Sequence, residues 1–295
     1  MRSGPLLFLA GTALVAAACA GASPRAERSL RGLIVYWSDR SGAPAIWSIR
    51  PDGTHRHRIL RTKLNEKRAR LSPDRKWVAF DGTPKGKPAF SDFDVQVARI
   101  DGTEWRALTS SSDRETGAQW SPDGRTLSYE RWPADASEAR DYSVWTVGRD
   151  GTDARRLAIG LSARWSPDGK RLVYTTASRQ DPGDLFTINA DGTDSRLLLS
   201  RPDIQQAAAW SRDGRKILFT SWKGQRAGVY VMDADGSDVR RLGRGIAACW
   251  SPTGSRILYT HESQLTPISA LRVMNTDGSG KRVLPVPLGA EPDWR

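Results

Sequence analysis

From residue 33 onward the chain alternates short apolar runs with turn-forming residues. LIVYWS at 33–38, AIWSI at 45–49, SVWTV at 143–147, DLFTI at 184–188 and GVYVM at 228–232 are rich in Val, Ile and aromatic side chains. Runs of this length and composition predict β-strands and are too short for amphipathic helices.

Self-similarity organises these strands. ARLSPDRKWVAF at 69–80, AQWSPDGRTLSY at 118–129, ARWSPDGKRLVY at 163–174, AAWSRDGRKILF at 208–219 and ACWSPTGSRILY at 248–259 are copies of one unit. The head of each copy is Leu71, Trp120, Trp165, Trp210 or Trp250. An aromatic follows nine residues later: Phe80, Tyr129, Tyr174, Phe219 or Tyr259. The Ser-Pro-Asp-Gly centre, or its near variant, predicts a tight turn. Pro presets φ at the first turn position and Gly accepts the left-handed exit. Each unit therefore reads as strand, turn, strand.

A second motif, Asp-Gly, recurs at Asp52, Asp101, Asp150, Asp191, Asp235 and Asp277, each after a β-rich run. It is a strong hairpin signal. A leucine lies seven residues after the Asp in five copies, and Ile59 takes that place in the other. The Asp-to-Asp spacings of 49, 49, 41, 44 and 42 residues fit four strands per repeat and six propeller blades.

The two ends predict closure. LIVYWS at 33–38 resembles a second strand such as RLVYTT at 171–176, and the terminal PDWR resembles a first strand. Trp294 then takes the place of Trp120, with Tyr36 as its aromatic partner, and no open sheet edge remains. The expected fold is all-β: a six-bladed β-propeller of four-stranded antiparallel blades, over residues 32–295, closed by pairing of the N- and C-terminal strands. The 295 residues would otherwise accommodate about two average domains. The recurring tryptophans read as wedges between blades, since one large ring buries on the order of 200 Å².

Residues 1–18 read as an export signal. Arg2 precedes an apolar, small-residue stretch that is shorter than the roughly 20 residues a membrane span needs. The run Ala16-Ala17-Ala18-Cys19 resembles a bacterial lipobox, which makes Cys19 the expected lipid attachment site and 19–31 a tether. An ordinary Ala-x-Ala cleavage is the alternative. Cys249, the other cysteine, falls inside a core motif and reads as a buried thiol.

The repeats, from WSPDG to the Asp-Gly hairpin, resemble the WD-like propeller repeats of the TolB family over about 260 residues. That resemblance implies a six-bladed propeller of the bacterial envelope whose mouth docks a protein. The family's namesake carries a further domain ahead of its propeller, and the first 31 residues here leave no room for one.

The formal charge is +12. Part of it is periodic: His57, Arg106, Arg155, Arg196, Arg240 and Arg282 stand five residues after each Asp and read as solvated outer-strand positions. No Gly-x-Ser-x-Gly elbow, phosphate-binding loop or Gly-x-Gly-x-x-Gly occurs. Of the three histidines, His55 and His57 would share one side of a strand, but His57 occupies the repeat's Arg slot, so no metal and no cofactor are expected. The carboxylate pairs Asp92 with Asp94, Glu138 with Asp141 and Glu291 with Asp293 lack any tuned environment that sequence can show. The chain is read as a non-enzyme.

A partner is expected on the face opposite the two turns. Blades two and three carry extended loops there, 82–94 and 130–142, and long loops on a rigid scaffold make binding devices. They supply Phe90, Phe93, Trp132 and Tyr142, while Trp222, Lys63, Lys67 and Arg68 join the same face. The expected function is a non-catalytic envelope scaffold that docks an envelope protein. Anionic glycan or lipid surfaces are the alternative ligand, a propeller hydrolase or lyase is a third reading, and export disfavours nucleic acid.

Overall fold

The computed structural model describes residues 33–38, 44–49, 55–84, 92–134, 142–177, 182–224, 226–251, 253–261, 270–283 and 293–294. Cys19, Phe90, Glu138, Asp141 and Glu291 lie outside the described residues, as does the whole stretch read as signal and tether.

Six four-stranded antiparallel sheets account for the described strands. The first blade is β1 (Ile34–Ser38), β2 (Ala45–Ile49) and β3 (His57–Arg58). The second is β4 (Leu64–Leu71), β5 (Trp77–Pro84), β6 (Asp94–Arg99) and β7 (Trp105–Ala107). The third is β8 (Arg114–Trp120), β9 (Thr126–Trp132), β10 (Ser143–Gly148) and β11 (Arg155–Ile159). The fourth is β12 (Leu161–Trp165), β13 (Arg171–Ala177), β14 (Pro182–Asn189) and β15 (Arg196–Leu199). The fifth is β16 (Ile204–Trp210), β17 (Lys216–Lys223), β18 (Arg226–Asp233) and β19 (Arg240–Arg244). The sixth is β20 (Ile246–Trp250), β21 (Arg256–His261), β22 (Ala270–Asn275) and β23 (Arg282–Val283), and β24 (Asp293–Trp294) completes the first blade as its inner strand. Ile34 stands opposite Trp294 in that ladder, so both chain ends share one sheet.

The repeat's chemistry explains each turn. Ser166 Oγ donates to Asp168 at 2.6 Å and accepts the Arg171 N–H at 2.9 Å, while the Gly169 N–H closes on the Ser166 carbonyl. Ser72, Ser121 and Ser211 do the same. The fourth turn residue takes positive φ. It is Gly169 at 71° in the fourth blade, but in the second blade Arg75 takes φ 59° without glycine's freedom. The Asp-Gly motif forms a type I turn followed by a left-handed glycine: the Gly151 N–H bonds the Gly148 carbonyl, and Thr152 donates its N–H and hydroxyl to Asp150. Glycine is also a packing requirement there, because a Cβ on Gly236 would come within 2.3 Å of the Leu198 carbonyl oxygen in the preceding blade.

The core is a series of layers between blades rather than one central mass. Trp120, Leu127 and Tyr129 of the third blade pack against Trp77, Ala79 and Val97 of the second, and analogous clusters join the other described neighbours. The head tryptophans also bond. The indole N–H of Trp120 donates to the Arg70 carbonyl at 2.9 Å, Trp165 to Gln119 at 3.2 Å and Trp250 to Ala209 at 3.1 Å, each in the preceding blade. The periodic arginines make an outer joint in two places: Arg106 reaches the Arg149 carbonyl at 2.7 Å and Arg155 the Ala190 carbonyl at 2.8 Å.

Candidate functional site

The inner strands share a bulge that the sequence did not disclose. Register shifts fall between Lys67 and Arg70, Thr116 and Gln119, Leu161 and Arg164, Gln206 and Ala209, and Ile246 and Cys249, each just before a head residue. Arg68, Gly117 and Ser162 take positive φ there, which turns their backbone N–H groups out of the ladder. Carboxylates of the preceding blade receive two of these groups: Gly117 N–H donates to Asp81 at 3.1 Å and Ser162 N–H to Glu130 at 3.0 Å. Both acids directly follow the repeat aromatic, at Phe80 and Tyr129, where Thr175 and Thr220 stand in later blades. That column of the repeat held the signal.

Asp81 is fully buried. It accepts from Arg68 Nη1 at 3.0 Å and from the Thr116 hydroxyl, and Arg68 also donates to Thr116. Arg68, expected on the partner face, is thereby held at the joint of the second and third blades.

Above this joint the loop bases interleave cations with rings. Lys67 Nζ lies 5.5 Å from the Trp37 ring centroid and 5.9 Å from that of Phe93, and the Arg114 guanidinium lies 5.5 Å from Phe93 and 4.4 Å from Trp132. Trp132 stacks on Tyr142 at 4.3 Å. One ladder therefore runs Trp37, Lys67, Phe93, Arg114, Trp132, Tyr142 across three blades. Burial pulls the Arg114 pKa down, the charge of Arg68 adds to this, and Asp81 and Glu130 oppose it.

Of the expected partner-face residues, the structure brings Lys67, Phe93, Trp132 and Tyr142 together, with Arg68 beneath them. Two of them lie below the surface: Phe93 is 1% and Tyr142 8% exposed. Apolar rings at the loop bases gain more by packing under the stems of Lys67 and Arg114 than by facing water. Trp132 and Lys67 stay half-buried and Lys63 is exposed. Trp222 belongs to the fifth blade, away from the ladder, and stands opposite the exposed Ile204 in the β16–β17 ladder.

A carboxylate cluster sits beside the ladder. Burial first, then Glu115 and Asp92, push the Asp94 carboxyl up to about 6, against the pull of the Ser111 N–H. Arg131 pairs with Asp113 at 2.5 Å and lies 3.8 Å from Glu115, which is 2% exposed. Glu115 is closed to solvent, whereas Asp94 keeps partial contact with it. His57 bonds the Ser48 hydroxyl at 3.0 Å. Among the described residues, no group of three or more His, Cys, Asp or Glu side chains is placed to hold a metal.

Six radial four-stranded sheets closed on their own termini define a six-bladed propeller. The profile of the TolB beta propeller domain matches residues 83–293, and the chain belongs to that family. Among solved structures it is similar to TolB from Acinetobacter baumannii, with 19% identity and a TM-score of 0.70 over 90% of this chain and 67% of that one. It is also similar to oligogalacturonate lyase from Vibrio parahaemolyticus, with 13% identity and a TM-score of 0.64 over 84% of this chain and 73% of that one. A puromycin-hydrolyzing peptidase from Mycobacterium tuberculosis shares 14% identity and a TM-score of 0.66 over 88% of this chain, which spans only 45% of that peptidase. No curated protein sequence matches the chain. At these identities the likeness shows the fold, and this fold serves lyases and hydrolases as well as TolB.

Proposed function

We propose that this protein is an exported, non-catalytic scaffold of the cell envelope that docks a protein partner on its long-loop face. The observation that carries this reading is the cation–aromatic ladder. It fixes Trp132 and Lys67 in place at the rim of the second and third blades, so binding there would cost little further ordering of side chains. Exposed Lys63 on the same side and the exposed Ile204 beside Trp222 add charge and apolar area. Aromatic anchors within a basic surround are what protein interfaces favour. The similarity to TolB supports the envelope setting, and Cys19 remains the proposed lipid attachment site.

Crosslinking capture from intact envelopes tests this reading. Wild type is compared with a Trp132→Ala, Lys63→Ala, Trp222→Ala variant and with Arg196→Ala, whose exposed side chain belongs to an outer strand. One defined protein captured by wild type and Arg196→Ala, and lost with the triple variant of unchanged circular dichroism, is the expected result. Equal capture by all three would refute the face.

A further inference from the structure

The fifth residue after each turn serine stands where two blades meet, and it varies in size. It is Trp77, Thr126, Arg171 and Lys216 in the second to fifth blades. Trp77 packs in one cluster with Trp120 of the third blade. Arg171 holds its guanidinium 5.3 Å from the ring centroid of Trp210 in the fifth blade, and Lys216 is tied to Asp233 at 2.6 Å. Thr126 is the short one. Its ladder partner is Gly148, whereas Trp77 faces Arg99 and Arg171 faces Asn189. The frame around the position does not change with it: a Cβ on Gly124, Gly169 or Gly214 would stand 3.5, 3.6 or 3.8 Å from the Cδ of Pro73, Pro122 or Pro167 in the preceding turn. Small residues in a fixed frame leave space.

A cavity of about 440 Å³ lies at this joint of the third and fourth blades, and its lining includes Asp123, Thr126, Arg155, Trp165 and Asp168. Small-molecule sites span roughly 300–1,000 Å³. The joint of the second and third blades shows what such a frame holds. There Arg106 donates to the Arg149 carbonyl at 2.7 Å and lies 5.7 Å from the ring centroid of Trp77. Here Arg155 makes the same bond to the Ala190 carbonyl at 2.8 Å. At the first joint the chain itself supplies an aromatic ring beside the outer arginine. At the second, Thr126 takes that ring's place and the cavity lies against it, with Arg155 and the half-buried Trp165 in its wall. The carboxylates select the polar group of a ligand. Asp123 accepts from Ser121 Oγ at 2.6 Å and the Arg125 N–H at 3.0 Å, and Asp168 from Ser166 Oγ at 2.6 Å and the Lys170 N–H at 3.0 Å, all on Oδ1. These bonds hold both carboxyls below the usual carboxylate range, so both are ionised at neutral pH and can accept from a further N–H on Oδ2.

We propose that this cavity binds an aromatic ring of indole size that carries an N–H donor, with the ring against Trp165 and Arg155 and the donor on Asp123 or Asp168. Ring stacking and the attraction of a guanidinium to a ring face supply the affinity, and the carboxylates fix the orientation. The inference is independent of the partner face, because these residues belong to the turns and an outer joint and not to the long loops.

The test is calorimetric titration of the whole protein at neutral pH with tryptamine and, separately, with a Gly-Trp-Gly peptide blocked at both ends. Hexylamine, which carries the ammonium without the ring, is the third titrant. Saturable binding of at least one indole compound is expected, at least tenfold tighter than that of hexylamine. Tighter binding of tryptamine assigns the site to a free aromatic amine, and tighter binding of the peptide assigns it to a side chain of a protein. Thr126→Trp restores the ring that the second blade carries at this position. It is expected to weaken binding at least tenfold and to melt no lower than wild type, while Arg155→Ala weakens binding and Arg196→Ala leaves it unchanged. Absence of saturable binding by both indole compounds, equally tight binding of hexylamine, equal binding by Thr126→Trp and wild type, or marked destabilisation by Thr126→Trp would each overturn the proposal.

Discussion

The indole N–H of Trp120 donates to the backbone carbonyl of Arg70, 50 residues earlier, at 2.9 Å. This bond ties the third blade to the second at the inner strands, and the same joint recurs at Trp165 and Trp250. Trp210 occupies the corresponding site of the fifth blade, but its buried Nε1 has no acceptor there. A Trp→Phe change therefore removes a hydrogen bond at position 120 and none at 210. Trp120→Phe is expected to destabilise the protein by about 1 kcal/mol more than Trp210→Phe, read as the difference in urea unfolding midpoints. Equal costs would show that the rings act by volume alone.

Arg75 holds φ at 59° where the other described Ser-Pro-Asp turns have glycine. A left-handed conformation costs an ordinary residue roughly 1–2 kcal/mol, partly offset by glycine's greater entropy when unfolded. Arg75→Gly should stabilise the protein by about 0.5–1 kcal/mol, whereas Arg75→Ala should not. Thermal melts of the two variants decide this.

The turn carboxylates oppose acid. Hydrogen bonds from Ser or Thr hydroxyls and from backbone N–H groups hold Asp123, Asp168, Asp191, Asp213 and Asp277 below the usual carboxylate range. A depressed folded pKa contributes stability that is present above the unfolded value of 3.8 and lost as pH falls through the folded value. The melting temperature should therefore drop steeply below about pH 4. The drop should be smaller in variants that carry Asn at several of these positions.

Asp94 has the opposite sign. Its folded pKa of about 6 exceeds the unfolded 3.8, so the folded state binds the extra proton and stability falls as pH rises from about 4 to 6. Asp94→Asn mimics the protonated form. It should raise the melting temperature at pH 7.5 and leave it nearly unchanged at pH 4. A constant difference across that range would mean that Asp94 takes up no proton between pH 7.5 and 4.

Much of the architecture was legible because it repeats. The Trp-to-aromatic spacing, the Ser-Pro-Asp-Gly turn and Asp-Gly with its trailing leucine each report a local geometry fixed within about ten residues, so six blades and the paired termini follow from counting. The partner face was legible only in part. Lys67, Phe93 and Trp132 were singled out by loop length and type, but nothing local says that Phe93 would lie beneath two cations while Trp132 stayed partly open. Asp81 and Glu130 escaped because the acids bond to the following blade, at Gly117 and Ser162, more than 30 residues away.

By itself the sequence determined what depends on neighbouring residues: which segments are strands, where each turn falls, and how many blades the chain can form. Only the tertiary structure decided what depends on the ring. It set which indole N–H groups find an acceptor, the burial of Phe93 and Tyr142, and the meeting of Asp81 with Gly117 of the following blade. The physical reason is range. Turn dihedrals and strand alternation are set by short-range sterics and hydrogen bonds, whereas burial and charge coupling depend on which distant segments closure of the ring brings into one space.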